Sequence, residues 1–468
     1  MNLRERVLRG GFYLVLRQGL SIGISLGGMV LLTRLIGPAN YGLYAGSLVL
    51  LVFFFDVAKV GVDIYLVRQE ETPAEEVYNQ ASSFLLLSSL GLSGIGLLVS
   101  PLLGHWLGDP RFLTSLQVML LGLPLMVLYA PARARLERAL DFRNVAGIEL
   151  TGQLLYYTLA LTLAWRGFGV WAPVGGFFLW RIWMLGTSYV LSRYRPRWHW
   201  SPKMLREMLG YGLAYSASNW VWQLRTLVNP LIVGHFLGPA GVGYVAMAIR
   251  LVEVLSFVKN ATWRLAIVAL AKVQQDLPRL RRALEEAMGM QLLGLGPLLA
   301  GFALAAPWLI PFLFGERWTP VILVYPFIAL SYLLNAVFNM HSSVLYVLQR
   351  NWSVTIFHVV HITLFAGAAW LLVDEIGILG YGLAEVVALA SYPIIHFCVA
   401  RLFAFNYKRA QPWLLAFVPP LFLPLTGLPW GLGLWAFTLG VLLLSGGAHA
   451  QIREYWLYVR RRTKHAGA

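Results

Sequence analysis

Charge is what this sequence has least of. Only 12% of its 468 residues are Asp, Glu, Lys or Arg, against about 25% in an average soluble protein. So few charged side chains argue against a soluble globular enzyme. A disordered chain, which needs low hydrophobicity and high charge, is excluded. Acidic residues are the scarcer sign, 21 against 37 basic, for a formal net charge of +16. Cysteine is nearly absent. Cys398 stands alone in an apolar run, which rules out an internal disulfide or a Cys-based metal cluster and leaves a small packing residue. No GxxxxGK[ST] loop occurs, so no ATPase of that type is built in. The GVGYVA of residues 241–246 fits a dinucleotide fingerprint but lies between apolar runs and follows no strand.

What is present instead is apolar: 58% of residues are hydrophobic and the mean hydropathy is +0.66. A membrane-spanning helix needs about 20 mostly apolar residues. Such runs fall at 12–36, 42–60, 80–103, 113–131, 148–165, 170–191, 209–236, 242–260, 285–307, 320–340, 352–373, 380–403, 412–426 and 430–448. They predict an all-α integral membrane protein with about fourteen transmembrane helices, the last pair interrupted by Pro419, Pro420, Pro424 and Pro429. The basic start (Arg4, Arg6, Arg9) leads into an apolar run too long for a signal-peptide core, expected to remain as the first helix.

The basic residues orient this array. With the N-terminus in the cytoplasm, twenty-seven of the 37 fall on the inner side, against Arg34, Arg111, Arg166 and Arg317 on the outer side. That asymmetry matches the positive-inside rule. It accounts for the basic balance without a nucleic-acid partner, and an even helix count keeps Arg460, Arg461 and Arg462 inside as well. Amphipathic stretches near 131–146 and 276–288 are expected at the membrane surface.

The sequence also repeats. RLIGPANYGLYA (34–45) and HFLGPAGVGYVA (235–246) share Gly37, Pro38, Ala39, Gly42 and Ala45 at an offset of 201. Gly108-Asp109 corresponds to Gly315-Glu316, and Leu136-Glu137-Arg138 to Leu348-Gln349-Arg350. Two copies in the same orientation are a transporter arrangement, with substrate between the halves. The expected organisation is two pseudo-symmetric six-helix lobes, 1–191 and 209–403, joined by a basic connector at 192–208. Residues 404–468 then hold a C-terminal helix pair and tail.

Charges inside spans are expensive and face a cavity or a partner. The seventh span carries a polar and aromatic face: Tyr211, Tyr215, Ser218, Trp222, Arg225 and Asn229. The first carries Arg17, Ser21, Ser25 and Gly28, with Arg34 near its outer end. The eighth carries Arg250, Glu253 and Asn260, and the sixth adds Arg181. A cationic cavity that accepts a phosphate group is the functional reading, because the planar guanidinium binds phosphate oxygens bidentately. The plainer reading is that these arginines snorkel or join helices. Arg225 lies deepest in its span. Glu253 is the candidate for coupling to H+ or Na+, or else the partner of Arg250. Asp56, Asp63, Glu149 and Glu385 lie closer to helix ends. Asn335 and Asn339 share a face of the tenth span, and the pair His358 and His361 lacks further metal ligands and reads as packing. No cofactor and no catalytic residue is expected.

LTRLIGPANYGLYA, ARLERALDFRNVAGIEL (134–150), RGFGVWAPVGG (166–176), VGHFLGPAGVGYVAMAIRL (233–251) and FGERW (314–318) resemble the Wzx-like polysaccharide and oligosaccharide flippases of the MATE-like superfamily. The LERALDFR segment looks most like the colanic-acid-exporter type. The resemblance implies two six-helix lobes around a central cationic cavity. It also implies alternating access that carries a polyprenyl-pyrophosphate-linked oligosaccharide from the cytoplasmic to the periplasmic leaflet of a bacterial inner membrane, driven by an ion gradient, alongside other polysaccharide assembly proteins. It supplies no functional-residue motif for this sequence. A lipid II flippase and a MATE-like drug exporter are the nearest alternatives, although an Arg-rich interior does not suit cationic drugs. A membrane glycosyltransferase or polymerase is the alternative of another class; the outer loops, about ten residues or fewer, leave little room for its catalytic acids.

Overall fold

A computed structural model of the chain describes residues 3–68, 73–257, 259 and 270–426, with a few positions between 433 and 453. Side chains are described from Arg17 onward, those of 214–215 and 217–219 set aside. Outside their connecting segments the described residues are helical, with no strand among them. Helix α1 (Leu3–Lys59) is followed by α2 (Val62–Arg68), α3 (Glu75–Leu107), α4 (Pro110–Leu120) and α5 (Leu123–Arg138). Then come α6 (Phe142–Trp165), α7 (Trp171–Ser192), α8 (Pro202–Leu224) and α9 (Gly234–Leu255). The second part of the chain holds α10 (Leu277–Phe314), α11 (Val321–Val347), α12 (Asn351–Ile376), α13 (Ile378–Ala388), α14 (Tyr392–Ala400) and α15 (Gln411–Thr426).

Eight stretches among the described residues are long and apolar enough to cross a membrane: Arg17–Lys59, Glu75–Leu107, Pro110–Arg138, Trp220–Leu255, Leu277–Phe314, Val321–Val347, Asn351–Ile376 and Ile378–Ala400. Arg17–Lys59 takes in most of two expected spans, 12–36 and 42–60, as the two arms of α1. The spans at 148–165, 170–191 and 412–426 are helices α6, α7 and α15, and 430–448 lies outside the described residues. Large apolar side chains stand exposed along the spans, among them Leu98, Leu102, Phe312 and Leu371, as suits a chain whose surrounding solvent is hydrocarbon. Trp106, Trp165, Trp308 and Trp352 are exposed near helix ends, where an interfacial aromatic belt falls. The stretch at 276–288 is not a separate surface helix. It is the start of α10, whose 38 residues extend about 57 Å, so its first turns project beyond a hydrocarbon core of about 30 Å.

The chain divides into two compact units, Met1–Ala246 and Met247–Ala468. In the first, α1 packs on α3, α4 and α6, and α6 on α7, around Leu43, Leu51, Leu85, Leu116, Met119 and Phe177. Helix α8 packs on α1 and α2 in the same unit. In the second, α10 packs on α11 and α15, and α12 on α13, burying Trp318, Tyr325, Phe365, Tyr381 and Trp413.

Capping residues place the helix starts. Asp109, Asp141, Ser201 and Asp276 each accept a backbone N–H of the first turn of α4, α6, α8 and α10. Pro110, Pro202 and Pro278 follow within two positions, where the missing N–H is no loss. The connector at 194–201 is non-helical and laced to α3 by that helix's buried polar face. Asn79 Oδ1 accepts from Arg197 N at 3.1 Å, Ser83 Oγ from His199 N at 3.1 Å and Gln80 Oε1 from Ser201 N at 2.6 Å. Tyr194 donates to the same Asn79 oxygen at 3.0 Å and meets Ser82 Oγ at 2.8 Å, and burial pushes its phenol up to about 12.

The repeat is visible in the backbone. Gly37 (φ 74, ψ 174) and Gly238 (φ 66, ψ −169) break their helices in the same conformation. The following proline steers its predecessor away from the helical region, and glycine accepts the left-handed φ. Gly108 and Gly315 both close a helix by bonding back four residues. At the inner ends the register differs from the sequence match. Left-handed Leu140 (φ 56) and Gln349 (φ 58) are the equivalent residues, and the closing bonds Asp141 N to Leu136 O and Arg350 N to Leu345 O make Leu136 the counterpart of Leu345. Leu136 and Leu348 are therefore three residues out of register.

Candidate substrate site

The polar face of α1 is answered by α6 in a ladder. Arg17 donates to Glu149, Ser21 donates to Gln153 at 2.7 Å, and Tyr157 donates to the Ser25 carbonyl at 3.1 Å, each across 132 residues. Steps of four on both helices at constant separation require parallel helices, as the first and fifth spans of an alternating array are. Gln153 also donates to Ser25 Oγ at 2.6 Å. Gly28 completes the face: a Cβ there would stand 2.2 Å from the Tyr157 ring, so only glycine lets α6 approach.

At the inner end of this ladder the charges gather. Glu149 is shared by Arg17 and by Arg133, whose Nη2 lies 3.4 Å away. Arg133 also donates to Glu137 at 2.7 Å and to the Tyr129 hydroxyl at 3.0 Å. Arg181 on α7 is flanked by Trp180 and Met184, which pack in one cluster with Tyr129. Its guanidinium lies over the Trp180 and Phe177 rings at 4.7 and 5.2 Å, and its Nε is buried with no partner. Among the described residues no carboxylate pairs with it. Three arginines and two glutamates leave this group one positive charge in excess. Glu149, read from the sequence as a helix-end carboxylate, is its hub, and Arg133, within the stretch near 131–146 expected at the membrane surface, belongs to α5.

Arg225 and Trp222 sit at a break in the helical path. Helix α8 stops at Leu224; a 3-10 turn, Arg225–Leu227, and a π turn, Asn229–Val233, precede α9. Interruptions of this kind free backbone groups and recur where membrane proteins bind polar ligands. Arg225 lies over the Trp222 ring at 5.6 Å. Asn229 is buried; its amide donates to the Val242 carbonyl at 3.3 Å, and its Oδ1 has no partner. Pro230 supplies no backbone donor there. The end of α8 is tied to α1: Gln223 donates to Asp56 at 2.6 Å and Trp220 to the Asp56 carbonyl at 2.9 Å. Asp56 and Asp63 hold Lys59 at 3.1 and 3.6 Å.

Of the remaining candidates, Arg34 is exposed on the first arm of α1. In the second unit Arg250 and Glu253 pair at 3.7 Å, both about half exposed. Asn335 accepts from Lys259, and His361 meets Ser391 Oγ at 3.0 Å and stacks on Tyr392. Asn260 lies outside the described residues, as do the side chains of Tyr215 and Ser218.

The solved structure of the lipid II flippase MurJ in an inward closed conformation matches at TM-score 0.71, 14% identical, over 96% of this chain and 99% of that one. An inward-facing multidrug resistance MATE transporter of the MOP superfamily matches at TM-score 0.63, 16% identical, over 83% of this chain and 98% of that one. Such a likeness establishes the fold: this is an all-helical, multi-pass membrane protein with the helical architecture of those two structures. The sequence carries the assignment one step further. Residues 31–323 match the polysaccharide biosynthesis protein family, and the chain belongs to it. Its relatives include the succinoglycan biosynthesis transport protein ExoT of Rhizobium meliloti (strain 1021), 25% identical over 70% of this chain and 66% of that protein. The lipopolysaccharide biosynthesis protein WzxC of Escherichia coli (strain K12) is 24% identical over 74% and 70%. The chain thus spans about two thirds of the length of the curated relatives it matches.

Proposed function

We propose that the protein is a flippase. It carries a polyprenyl-pyrophosphate-linked oligosaccharide from the cytoplasmic to the periplasmic leaflet of a bacterial inner membrane, with both termini in the cytoplasm. Membership of the polysaccharide biosynthesis family carries the reading, since ExoT is named for succinoglycan biosynthesis transport and WzxC for lipopolysaccharide biosynthesis. The interior charge agrees with it. A pyrophosphate taken through hydrocarbon faces a large desolvation penalty, which a preformed cation reduces. Arg181, without a carboxylate partner, and Arg225, at the break between α8 and α9, are the residues assigned to that task. Trp222 offers a face for a sugar ring. No bond is made or broken, so the work is transport and not catalysis, in company with the glycosyltransferases and polymerases that supply and use the substrate.

The test is flipping of a fluorescent lipid-pyrophosphate oligosaccharide in proteoliposomes. Arg225→Ala and Arg181→Ala should each slow it about 10–100-fold, the loss of one charge-assisted hydrogen-bond group. Unchanged rates in both variants would remove the site assignment. Efflux of cationic drugs with no lipid movement would remove the function.

A further inference from the structure

In the second unit three protonatable side chains form a chain that the transport site does not use. Tyr407, in the segment 401–410 between α14 and α15, places its hydroxyl 2.8 Å from His396 Nδ1 and 3.1 Å from His341 Nε2. The donors can be assigned by elimination. His341 Nδ1 faces the Val337 carbonyl at 3.3 Å, which can only accept, so Nδ1 carries the hydrogen and a neutral His341 must accept at Nε2. The single Tyr407 proton is therefore donated to His341. The phenol oxygen then accepts from His396, which must carry its hydrogen on Nδ1. Burial raises the Tyr407 phenol, so its proton stays in place.

The two ends differ in access. His341 is fully buried, while His396 is half-buried, and its Nε2 makes no hydrogen bond among the described residues. The site is closed by rings, Phe338 on His341 at 5.1 Å and Phe405 edge-on to both histidines. The segment carrying Tyr407 is fastened to α10, where Glu285 accepts both the backbone and side-chain N–H of Asn406 at 3.0 Å.

We propose that His396, Tyr407 and His341 form a proton-loading site, through which the transport proposed above is coupled to a proton gradient. A proton taken up at His396 Nε2 shifts the Nδ1 hydrogen to Tyr407, whose own proton passes to His341 Nε2. His396 ends neutral with its hydrogen on Nε2, Tyr407 ends neutral and donating to His396, and His341 ends as imidazolium. One proton enters and one charge appears at His341. Among the described residues no carboxylate touches His341: Glu385, buried on α13, makes no hydrogen bond or ion pair with it. Helix α12 offers His358 and His361, and the 401–410 segment Arg401, Lys408 and Arg409. On α10, Glu285 is taken by Asn406 and Arg281, and Glu286 by Arg409. An uncompensated buried charge is unfavourable, so the loaded site favours conformations in which the 401–410 segment lifts and His341 is wetted. That differential is what coupling requires. It assigns ion coupling to this cluster and leaves Glu253 as the partner of Arg250.

Two measurements test it. In 15N-histidine-labelled full-length protein at pH 8, His396 should be the Nδ1–H tautomer, and Tyr407→Phe should return it to Nε2–H; an Nε2–H wild-type His396 overturns the relay. In proteoliposomes, an imposed pH gradient should speed wild-type flipping several-fold, while Tyr407→Phe and His341→Gln should respond to it less than twofold. A full response in both variants also overturns the proposal. Wild-type protein that moves no lipid under any condition would sink the flippase reading instead, with the tautomer still deciding the site.

Discussion

Replacing Gly42 with alanine should damage this protein, whereas the same change at Gly91 should help it. The two GP-turns of the repeat meet inside the first unit, each backbone seated on the other. A Cβ at Gly42 would lie 1.7 Å from the Pro239 carbonyl oxygen, and one at Gly243 would lie 2.2 Å from that of Pro38. Contact at these places needs about 3.4 Å, the ordinary carbon–oxygen separation, and the obstacle is backbone pinned beside a proline, not a side chain that can swing away. Overfilling a packed interior costs about 1–3 kcal/mol, and the depth of these overlaps puts both sites at the upper end. At Gly91, on α3, nothing lies within 4 Å. Alanine there recovers the helix propensity that glycine forfeits, about 0.5–1 kcal/mol. Thermal melting of purified protein in one detergent reads the sign: Gly42→Ala and Gly243→Ala lower the midpoint and Gly91→Ala holds or raises it. Hydrogen exchange should quicken in 36–46 and 237–246 in the first two only. Wild-type midpoints and exchange in both turn variants would refute the close approach on which the packing of the repeat rests.

Other outcomes follow from the same geometry. Glu149→Gln removes the carboxylate shared by Arg17 and Arg133 and should lower stability by about 1–3 kcal/mol; an unchanged melting midpoint would show that the arginines do not need it. Asn79→Ala leaves the Arg197 N–H without its acceptor and the Tyr194 hydroxyl with Ser82 alone, and should quicken proteolysis of the 192–201 connector. Asp109 is held below the usual carboxylate range by its hydrogen bonds to Arg111. A lowered native pKa stabilises above the unfolded value, about 4, and that contribution fades as pH falls through the native one. Asp109→Asn should flatten the melting profile below pH 4, and identical acid profiles would contradict it.

Much of the fold was legible because a spanning helix must announce itself as about 20 apolar residues. The turns at Gly37-Pro38 and Gly238-Pro239 were legible because a proline preceded by a left-handed residue leaves few alternatives to glycine. The pairing of helices was not. Arg17, Ser21 and Ser25 present a polar stripe that looks the same whether it faces water or another helix, and only the tertiary ladder to Glu149, Gln153 and Tyr157 decides. Arg133 falls beyond the expected span 113–131 because charge near a span end orients a membrane protein whether or not the helix continues through it. The break at 225–233 has Pro230 as its one local sign, and a proline does not specify a π turn. The slip of three residues at Leu136 arose because LER and LQR match in letters, while the left-handed residues that fix the register, Leu140 and Gln349, are chemically unlike. Tyr407 carries no signal at all, since nothing in the order of the chain brings it between His396 and His341.

The most direct test is the movement of substrate itself. Purified full-length protein, reconstituted in liposomes holding a fluorescent polyprenyl-pyrophosphate oligosaccharide on one leaflet, should deliver it to the other. Arg225→Ala should do so about 10–100-fold more slowly, at equal amounts of folded protein. Wild-type protein that leaves the lipid where it was placed, or an Arg225→Ala protein that moves it at the wild-type rate, would contradict the account.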